Sequence, residues 1–581
     1  MKRCPQCQRL ETDDALVYCR ADGSPLVLEE SAVSEIETSL LPNAPTSPGS
    51  QRSTGPTTAL PQQDLPRTTR DLDKRDGGSS SAALHRPHVA STRNSIIAGV
   101  LGIVLMTALG VGSYLKYGRS DKQINSIAVM PFINESGNQD VEYLSDGMTE
   151  TLISSLSQIP NLSVKARSTV FFYKGKETTP KKIGEDLGVQ AVLLGRVAER
   201  GDDLRLSLEL VNTETQNVLW SDTYNRKPSE LVSLQSEVVR DVSSKLKAKL
   251  SGVDAAKVGK TYTDNAEAYQ LYLKGKYFWN KRTGESLKQA AQLYRQAIDK
   301  DPNYALAYSG LAETYVLFSS YDVSPANDSM PQAKAAALRA LEIDDSLAEA
   351  HTALAFYLSN YEWDRVNSEK EYRRAIELKP NYSTAHHWFA ADLSNVRRFD
   401  DSLAEFRRAE ELDPLSPIIG TNLGDTLVYA HRYDEAIAQY KRTLLRNPDF
   451  AYAHRALGWA YGLSGNYPEA IAETRRSFEL NKSSSAKGYL GLWLAKSGKR
   501  DEALQLLSEL KQESASGYVQ SYTFALIYLG LGDKEQALDW LVKEVSGHSE
   551  VSNQLAVAPE LAELRSTSRF QELLKQMNLP Q

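Results

Sequence analysis

The second half of the chain repeats itself. A helical phrase ending in a proline recurs as YRQAIDKDP at 294–302, YRRAIELKP at 372–380, FRRAEELDP at 406–414 and YKRTLLRNP at 440–448. The small residue after the aromatic falls at Ala297, Ala340, Ala375, Ala409, Thr443 and Ser477, in steps of 43, 35, 34, 34 and 34. Such a period excludes one compact core for this part of the chain. Each unit is a pair of helices too small to bury its own apolar face, so the next unit must cover it. The small residues let neighbouring helices approach, and the proline stops the second helix because it cannot continue the hydrogen-bond ladder. The step of 43 calls for an insertion between the helices of the second unit, and YDVSPANDSM at 321–330 supplies it. Degenerate units with Ala503 and Ala537 at the small position extend the series to about eight over residues 266–545, with 546–581 as a C-terminal helical cap.

LGWAY at 457–461, with looser copies in LGDTL and LAETY, completes a pattern that resembles the tetratricopeptide repeat. The resemblance implies an all-α solenoid with a concave groove for extended or helical peptides. The family's concave first-helix positions, carried onto this chain, give Phe356, Asn360, His387, Asn395, Tyr429, Tyr452, Arg455 and Trp459 as a partner-binding groove. Aromatic residues with Arg and Asn are those that anchor peptide partners. The competing reading is that some of the aromatics, Phe356 and Trp459 above all, only pack. His351, His386 and His454 are spaced by 35 and 68 residues, one and two repeat lengths. A metal cluster would not follow that register, so they read as packing residues.

Ahead of the repeats, residues 96–115 read IIAGVLGIVLMTALGVGSYL, twenty residues without a charge. At helical rise that is about 30 Å, the thickness of a bilayer core. Arg93 precedes the run, Lys116 and Arg119 follow it, and Tyr114 and Tyr117 suit the headgroup level. The run reads as a single transmembrane helix. Near its ends the positive charges almost balance, two before and three after, but Arg67, Arg70, Lys74 and Arg75 extend the N-terminal excess. The expected topology is a cytosolic N-terminus and extracytoplasmic C-terminal domains. Residues 28–93, rich in Pro, Ser, Thr and Gly, read as a disordered linker.

Residues 124–250 have the pattern of an α/β domain. SIAVMPF and LSVKAR are strands, EYLSDGMTETLISSLSQI and PKKIGEDLG are helices, and Gly188 caps the second helix. AVLLGRVAERGDDLRLSLELVNTETQNVLWSDTYNR gives three alternating strands turning at 201–203 and 213–216, and LVSLQSEVVRDVSSKLKAKL a last amphipathic helix. These segments resemble the TolB N-terminal-like domain of bacterial membrane-anchored multidomain proteins, where it follows one transmembrane helix and precedes tetratricopeptide repeats. The resemblance covers about residues 124–581 and implies the bacterial cytoplasmic (inner) membrane. Family members carry varied cytosolic modules: a winged helix, a nucleotide cyclase or a kinase. This sequence has no kinase Gly-rich loop, no HRD-type loop and no basic helix-turn-helix.

All three cysteines lie in residues 1–27, as Cys4, Cys7 and Cys19, with Asp22 where a fourth cysteine would complete a second knuckle. The arrangement resembles a zinc ribbon. Two thiolates two residues apart can reach one tetrahedral ion, and a carboxylate can be the fourth ligand. A structural zinc ion is the expected cofactor, since four protein ligands leave no open position for a catalytic water. The competing reading is a ribbon that has lost its metal.

Three cysteines in 581 residues exclude a disulfide scaffold. A formal net charge of −7 argues against a dedicated nucleic-acid binder, which needs a basic field. Gly-x-Ser-x-Gly, HExxH and phosphate-loop patterns are absent, so no enzyme is expected. The expected function is a non-catalytic, single-pass membrane scaffold that binds protein or peptide partners or a second copy of itself. The alternative is a receptor or regulator that couples the solenoid to the cytosolic head.

Overall fold

A computed structural model of the chain describes residues 124–246 apart from 160 and 202, residues 260–581, and three two-residue strands near the N-terminus. Two compact units divide it, Met1–Asp121 and Lys122–Gln581. In the first, β1 (Lys2–Arg3) lies between β2 (Leu10–Glu11) and β3 (Val27–Leu28), antiparallel to both. Cys4, Cys7, Cys19, Asp22, the linker after Leu28 and the apolar run 96–115 lie outside the described residues. Among the described residues no helix is long and apolar enough to cross a membrane, and no cluster of three or more His, Cys, Asp or Glu could hold a metal ion.

The second unit opens with a mixed sheet. Its elements in chain order are β4 (Ser126–Val129), β5 (Ile133–Asn134), α1 (Gln139–Leu156), β6 (Ser163–Val164), α2 (Arg167–Phe171), α3 (Pro180–Leu187), β7 (Ala191–Arg200), β8 (Asp203–Asn212), β9 (Val218–Arg226) and α4 (Leu231–Lys245). The strand order is β6-β4-β7-β8-β9, with β5 also on β7. The pairs around β4 are parallel, so helices must carry the crossovers. β7, β8 and β9 form an antiparallel meander. Leu144, Met148, Leu152, Ile153 and Leu156 of α1 are all buried, as their helical spacing requires. Thr179 caps α3, and Gly188 at φ 63° ends it in the left-handed conformation that favours glycine. The sequence pattern missed α2 and β5, each too short to show a period.

Eight helix pairs follow: α5 (Ala266–Trp279) and α6 (Gly284–Lys300), α7 (Ala305–Tyr315) and α8 (Ala326–Ile343), α9 (Ala348–Asn360) and α10 (Arg365–Leu378), α11 (Ser383–Asn395) and α12 (Phe399–Leu412), α13 (Pro417–Tyr429) and α14 (Tyr433–Arg446), α15 (Ala451–Leu463) and α16 (Tyr467–Asn481), α17 (Ser484–Lys496) and α18 (Arg500–Ser516), α19 (Ser521–Gly530) and α20 (Lys534–Ser546). The small residues of the period are sealed inside, with Ala297, Ala340, Ala375 and Ala409 each 0% exposed. Asp301, Lys379, Asp413 and Asn447, each just before a proline, leave the helix with φ between −144° and −133°. That is the extended conformation a following proline ring imposes.

Every turn between the two helices of a pair holds one residue at positive φ: Arg282, Asp322, Trp363, Arg397, His431, Gly465, Gly498 and Gly532. Only the last three are glycine, the residue that adopts this conformation without steric cost. The other five carry a side chain in a sparsely populated region.

Both ends of the stack are engaged. The α/β domain rests on turns between repeats: Ala166 N–H donates to Leu412 O at 3.0 Å, Thr169 Oγ1 to Asp413 at 2.7 Å, and Asn381 Nδ2 to Leu162 O at 3.0 Å. The segment after α20 does more than cover the last helix. It runs through 3₁₀ turns at Glu550–Gln554 and Pro559–Leu564 to α21 (Ser568–Gln576). Leu555, Val557, Leu561, Leu564, Phe570 and Leu579 of this tail share one apolar cluster with Trp363, Tyr429 and Trp459 of the solenoid. The tail thus fills the inside of the superhelix. Of the predicted insertion 321–330, residues 326–330 form the start of α8, and together with the connection before it they meet the eighth pair and the tail: Ser320 Oγ donates to Glu550, Asn327 Nδ2 to Ser546 O at 3.4 Å, and Gln520 Nε2 to Ser319 O at 3.4 Å.

Candidate functional site

The concave wall is built from the first helix of each pair, so its side chains recur at the repeat period. Tyr429, Tyr452, Arg455 and Trp459 come together. The Tyr429 and Trp459 rings meet edge to face at 5.4 Å, and the Arg455 guanidinium lies 4.6 Å from the Tyr452 ring centre and 5.0 Å from that of Tyr489. The Tyr440 hydroxyl donates to Asp425 at 2.6 Å, and the Tyr452 hydroxyl donates to the same carboxylate. Burial pushes the Asp425 carboxyl up, and the two phenols hold it down in part. Arg455 makes no ion pair or hydrogen bond with a described residue, and it and Tyr452 are partly exposed.

The other four positions lie further along the wall. Phe356 is buried with its ring 5.0 Å from that of Trp388. Asn360, also buried, accepts from Asn553 of the tail at 3.0 Å. His387 accepts at Nε2 from Asn422 Nδ2 at 2.8 Å, and burial drives its pKa down to about 3, so the ring is neutral. Asn395 ends α11, half-buried.

The tail is the wall's visible occupant. The Glu560 carboxylate accepts from Trp459 Nε1 at 3.0 Å, Tyr489 OH at 3.0 Å and Tyr522 OH at 2.8 Å. Two left-handed turn residues grip the same segment: Arg397 donates to Ala556 O at 2.8 Å and to Gln581 O at 3.1 Å, and the Trp363 ring stacks 4.4 Å from His548. The sequence pattern passed over Asp425, Tyr489, Trp363 and Arg397. The register could have found them: Asp425 stands 34 residues before Trp459, Tyr489 34 after Arg455, and Trp363 and Arg397 occupy the turn position of Gly465.

The three periodic histidines share one arrangement. Nδ1 of His351, His386 and His454 meets Glu371, Glu405 and Glu473 at 2.5, 2.6 and 2.6 Å. Nε2 meets the carbonyl of Asp345, Pro380 and Pro448 at 2.9, 3.1 and 2.8 Å. A carbonyl oxygen can only accept, so in each histidine Nε2 is the donor on the carbonyl side. Each histidine therefore ties its own pair to the turn before it, beyond simple packing.

Several known proteins are similar to parts of the chain. Residues 421–479 match the tetratricopeptide repeat, and residues 122–241 match the second domain of HilA/YgeH-like transcriptional regulators. A putative adenylate cyclase 3 of Rhizobium meliloti (strain 1021) is 31% identical over 250 residues, 42% of this chain and 42% of that protein. The transcriptional regulator HilA of Salmonella typhimurium is 19% identical over 280 residues, 48% of this chain and 49% of the regulator. The chain thus spans about half the length of the curated relatives it matches. Among solved structures, the human IFIT1 dimer with m7Gppp-AAAA aligns with a TM-score of 0.36 and 13% identity, over 54% of this chain and 77% of that one.

Proposed function

We propose that this protein is a non-catalytic interaction module on a membrane anchor. Its tetratricopeptide repeats bind protein or peptide partners. The observation that carries this reading is the Glu560 site, where Trp459, Tyr489 and Tyr522 hold one carboxylate of the tail's second 3₁₀ turn on the concave wall. Beside it Arg455, flanked by two tyrosine rings, feels the charge of Asp425 but makes no direct ion pair, because that carboxylate is taken by the Tyr440 and Tyr452 hydroxyls. A partner segment engages the part of the wall that the tail leaves open, around Tyr452 and Arg455.

The anchor in this proposal is the uncharged run 96–115, which places the α/β domain and solenoid outside the bacterial cytoplasmic membrane and residues 1–93 inside. The α/β domain belongs to the TolB N-terminal-like type. The head holds one structural zinc on Cys4, Cys7, Cys19 and Asp22, and no nucleic acid is bound. Reporter fusions at Tyr117 and Gln581 test the topology: a cytosolic signal at both overturns it. Affinity capture with the full chain and with Arg455→Gln tests the wall. Partners recovered by the wild type and lost by the variant support the reading, and unchanged recovery sinks it.

A second reading has its own observation. The match of residues 122–241 to a domain of transcriptional regulators, with a cyclase among the relatives, favours a regulator whose solenoid signals to another module. The partner class recovered with residues 1–93 of the full chain, scaffold protein or signalling machinery, separates the two.

A further inference from the structure

At the junction of the α/β domain and the first repeats lies a cavity of about 640 Å³. That size is ordinary for a small-molecule site. Its walls come from α1, α4, α5, the segment 260–263 and the turns that precede α7, α9 and α11.

Tyr272 and Tyr304 stand in the wall, 5% and 1% exposed, with ring centres 5.3 Å apart. No described residue makes a hydrogen bond with either phenol, and neither oxygen is sealed off from solvent. A buried tyrosine hydroxyl normally has a partner. Two such hydroxyls side by side in a cavity wall mark a place where a ligand supplies one.

The electrostatics narrow the ligand. Each cation of the wall already has a carboxylate: Lys260 holds Asp344 at 2.7 Å, Lys379 holds Glu349 at 2.8 Å and Arg408 holds Glu411 at 3.1 Å. The remaining acid of the wall, Glu377, holds Arg374 at 2.7 Å. An anion or a cation would enter with no counter-ion to meet it. What remains is hydroxyl and amide groups, such as Thr261 and Gln235, set among tyrosine rings. A wall of uncharged donors and acceptors suits a neutral ring with hydroxyls at its rim.

We propose that this junction cavity binds a neutral, polyhydroxylated ligand of the saccharide class, with the Tyr272 and Tyr304 hydroxyls as its buried hydrogen-bond partners. Because the walls come from both domains, the occupied cavity ties the α/β domain to the first repeats.

Calorimetric titration of the full chain with maltose, cellobiose and N,N′-diacetylchitobiose tests the proposal, with adenosine as a neutral rival of similar size. At least one saccharide is expected to bind with a stoichiometry of one. The double variant Tyr272→Phe/Tyr304→Phe should weaken it by about tenfold, the loss of two ordinary hydrogen bonds, while the melting temperature without ligand holds. If the double variant does not melt cooperatively, Gln235→Leu in the wall is measured instead, and the same weakening is expected. No heat with any of the three saccharides, binding of adenosine alone, or undiminished binding by the variants overturns the proposal. None of these outcomes depends on partner capture at Arg455.

Discussion

The Trp459 indole donates to Glu560 at 3.0 Å across 101 residues of sequence, and Tyr489 and Tyr522 donate to the same carboxylate. One acid of the tail thus satisfies three buried donors from three successive repeats. Glu560→Ala would leave all three unpaired inside the superhelix. The expected destabilisation is about 3 kcal/mol or more, since each orphaned donor costs roughly 1–3 kcal/mol. Glu560→Gln keeps an acceptor and should cost about 1 kcal/mol. Urea unfolding followed by tryptophan fluorescence measures both, and equal losses would refute the account.

The left-handed turns offer a paired comparison. His431 at φ 59° and Arg397 at φ 63° occupy the same position of successive repeats. His431→Gly removes a strained side chain whose ring bonds only to nearby Tyr433. Relief of strain and the larger freedom of unfolded glycine oppose each other, so a change within about 1 kcal/mol is expected. Arg397→Gly also takes the donors from Ala556 O and Gln581 O, and should destabilise by about 2 kcal/mol more. Similar midpoints for the two variants would show that Arg397 does not hold the tail.

His454 ties its stability contribution to pH. Burial opposes its charge, but Glu473 and the Pro448 carbonyl outweigh it and raise the pKa above the ordinary 6.5. The folded state therefore favours the protonated ring. Its contribution is complete below the unfolded value and is lost as pH rises through the higher folded one. Unfolding free energies taken across that window should fall in the wild type relative to His454→Phe. Parallel curves would exclude the charged form.

Glu313 acts in the same direction for a different reason. Burial lifts its pKa to about 7, with Lys276 pulling it down and Glu349 pushing it up, while Tyr382 OH donates to it at 2.6 Å. Its folded pKa lies above the ordinary carboxylate value, so the stability tied to its neutral form is present at acid pH. That stability disappears as pH rises through about 7. Glu313→Gln keeps the acceptor for Tyr382 without a charge. It should match the wild type near pH 5 and exceed it near pH 8 in melting temperature; a lower value at pH 8 would refute the assignment.

Much of the solenoid was legible because one period writes it many times. The alanines at the small position and the residues before each proline show in sequence the close approach and the helix end that the structure contains. The α/β domain showed itself through alternation in β7 and β8 and helical spacing in α1. The tail was not legible in the same way. Leu555, Leu561 and Phe570 announce burial, but nothing local says that they are buried against Trp363 and Trp459 rather than against the last helix. The turn residues hid behind their variety: Arg397 and Trp363 fill a position that only the later Gly465, Gly498 and Gly532 mark as left-handed. Arg455 and Tyr452 were legible as wall residues from the register, and Tyr489, on the first helix of the next pair, was passed over.

The long connection between α7 and α8 has a consequence for the architecture. A stack of helix pairs ordinarily has two loose ends, can lose or gain a course, and frays from its tips. Here Ser320 and Asn327 of the second course clasp Glu550 just after the eighth and Ser546 at its end, so the spiral is latched into a hoop around its own tail. A latched hoop has a set circumference. Adding or removing one course would part the clasp, and the structure should tolerate surface changes far more readily than any change in the number of its repeats.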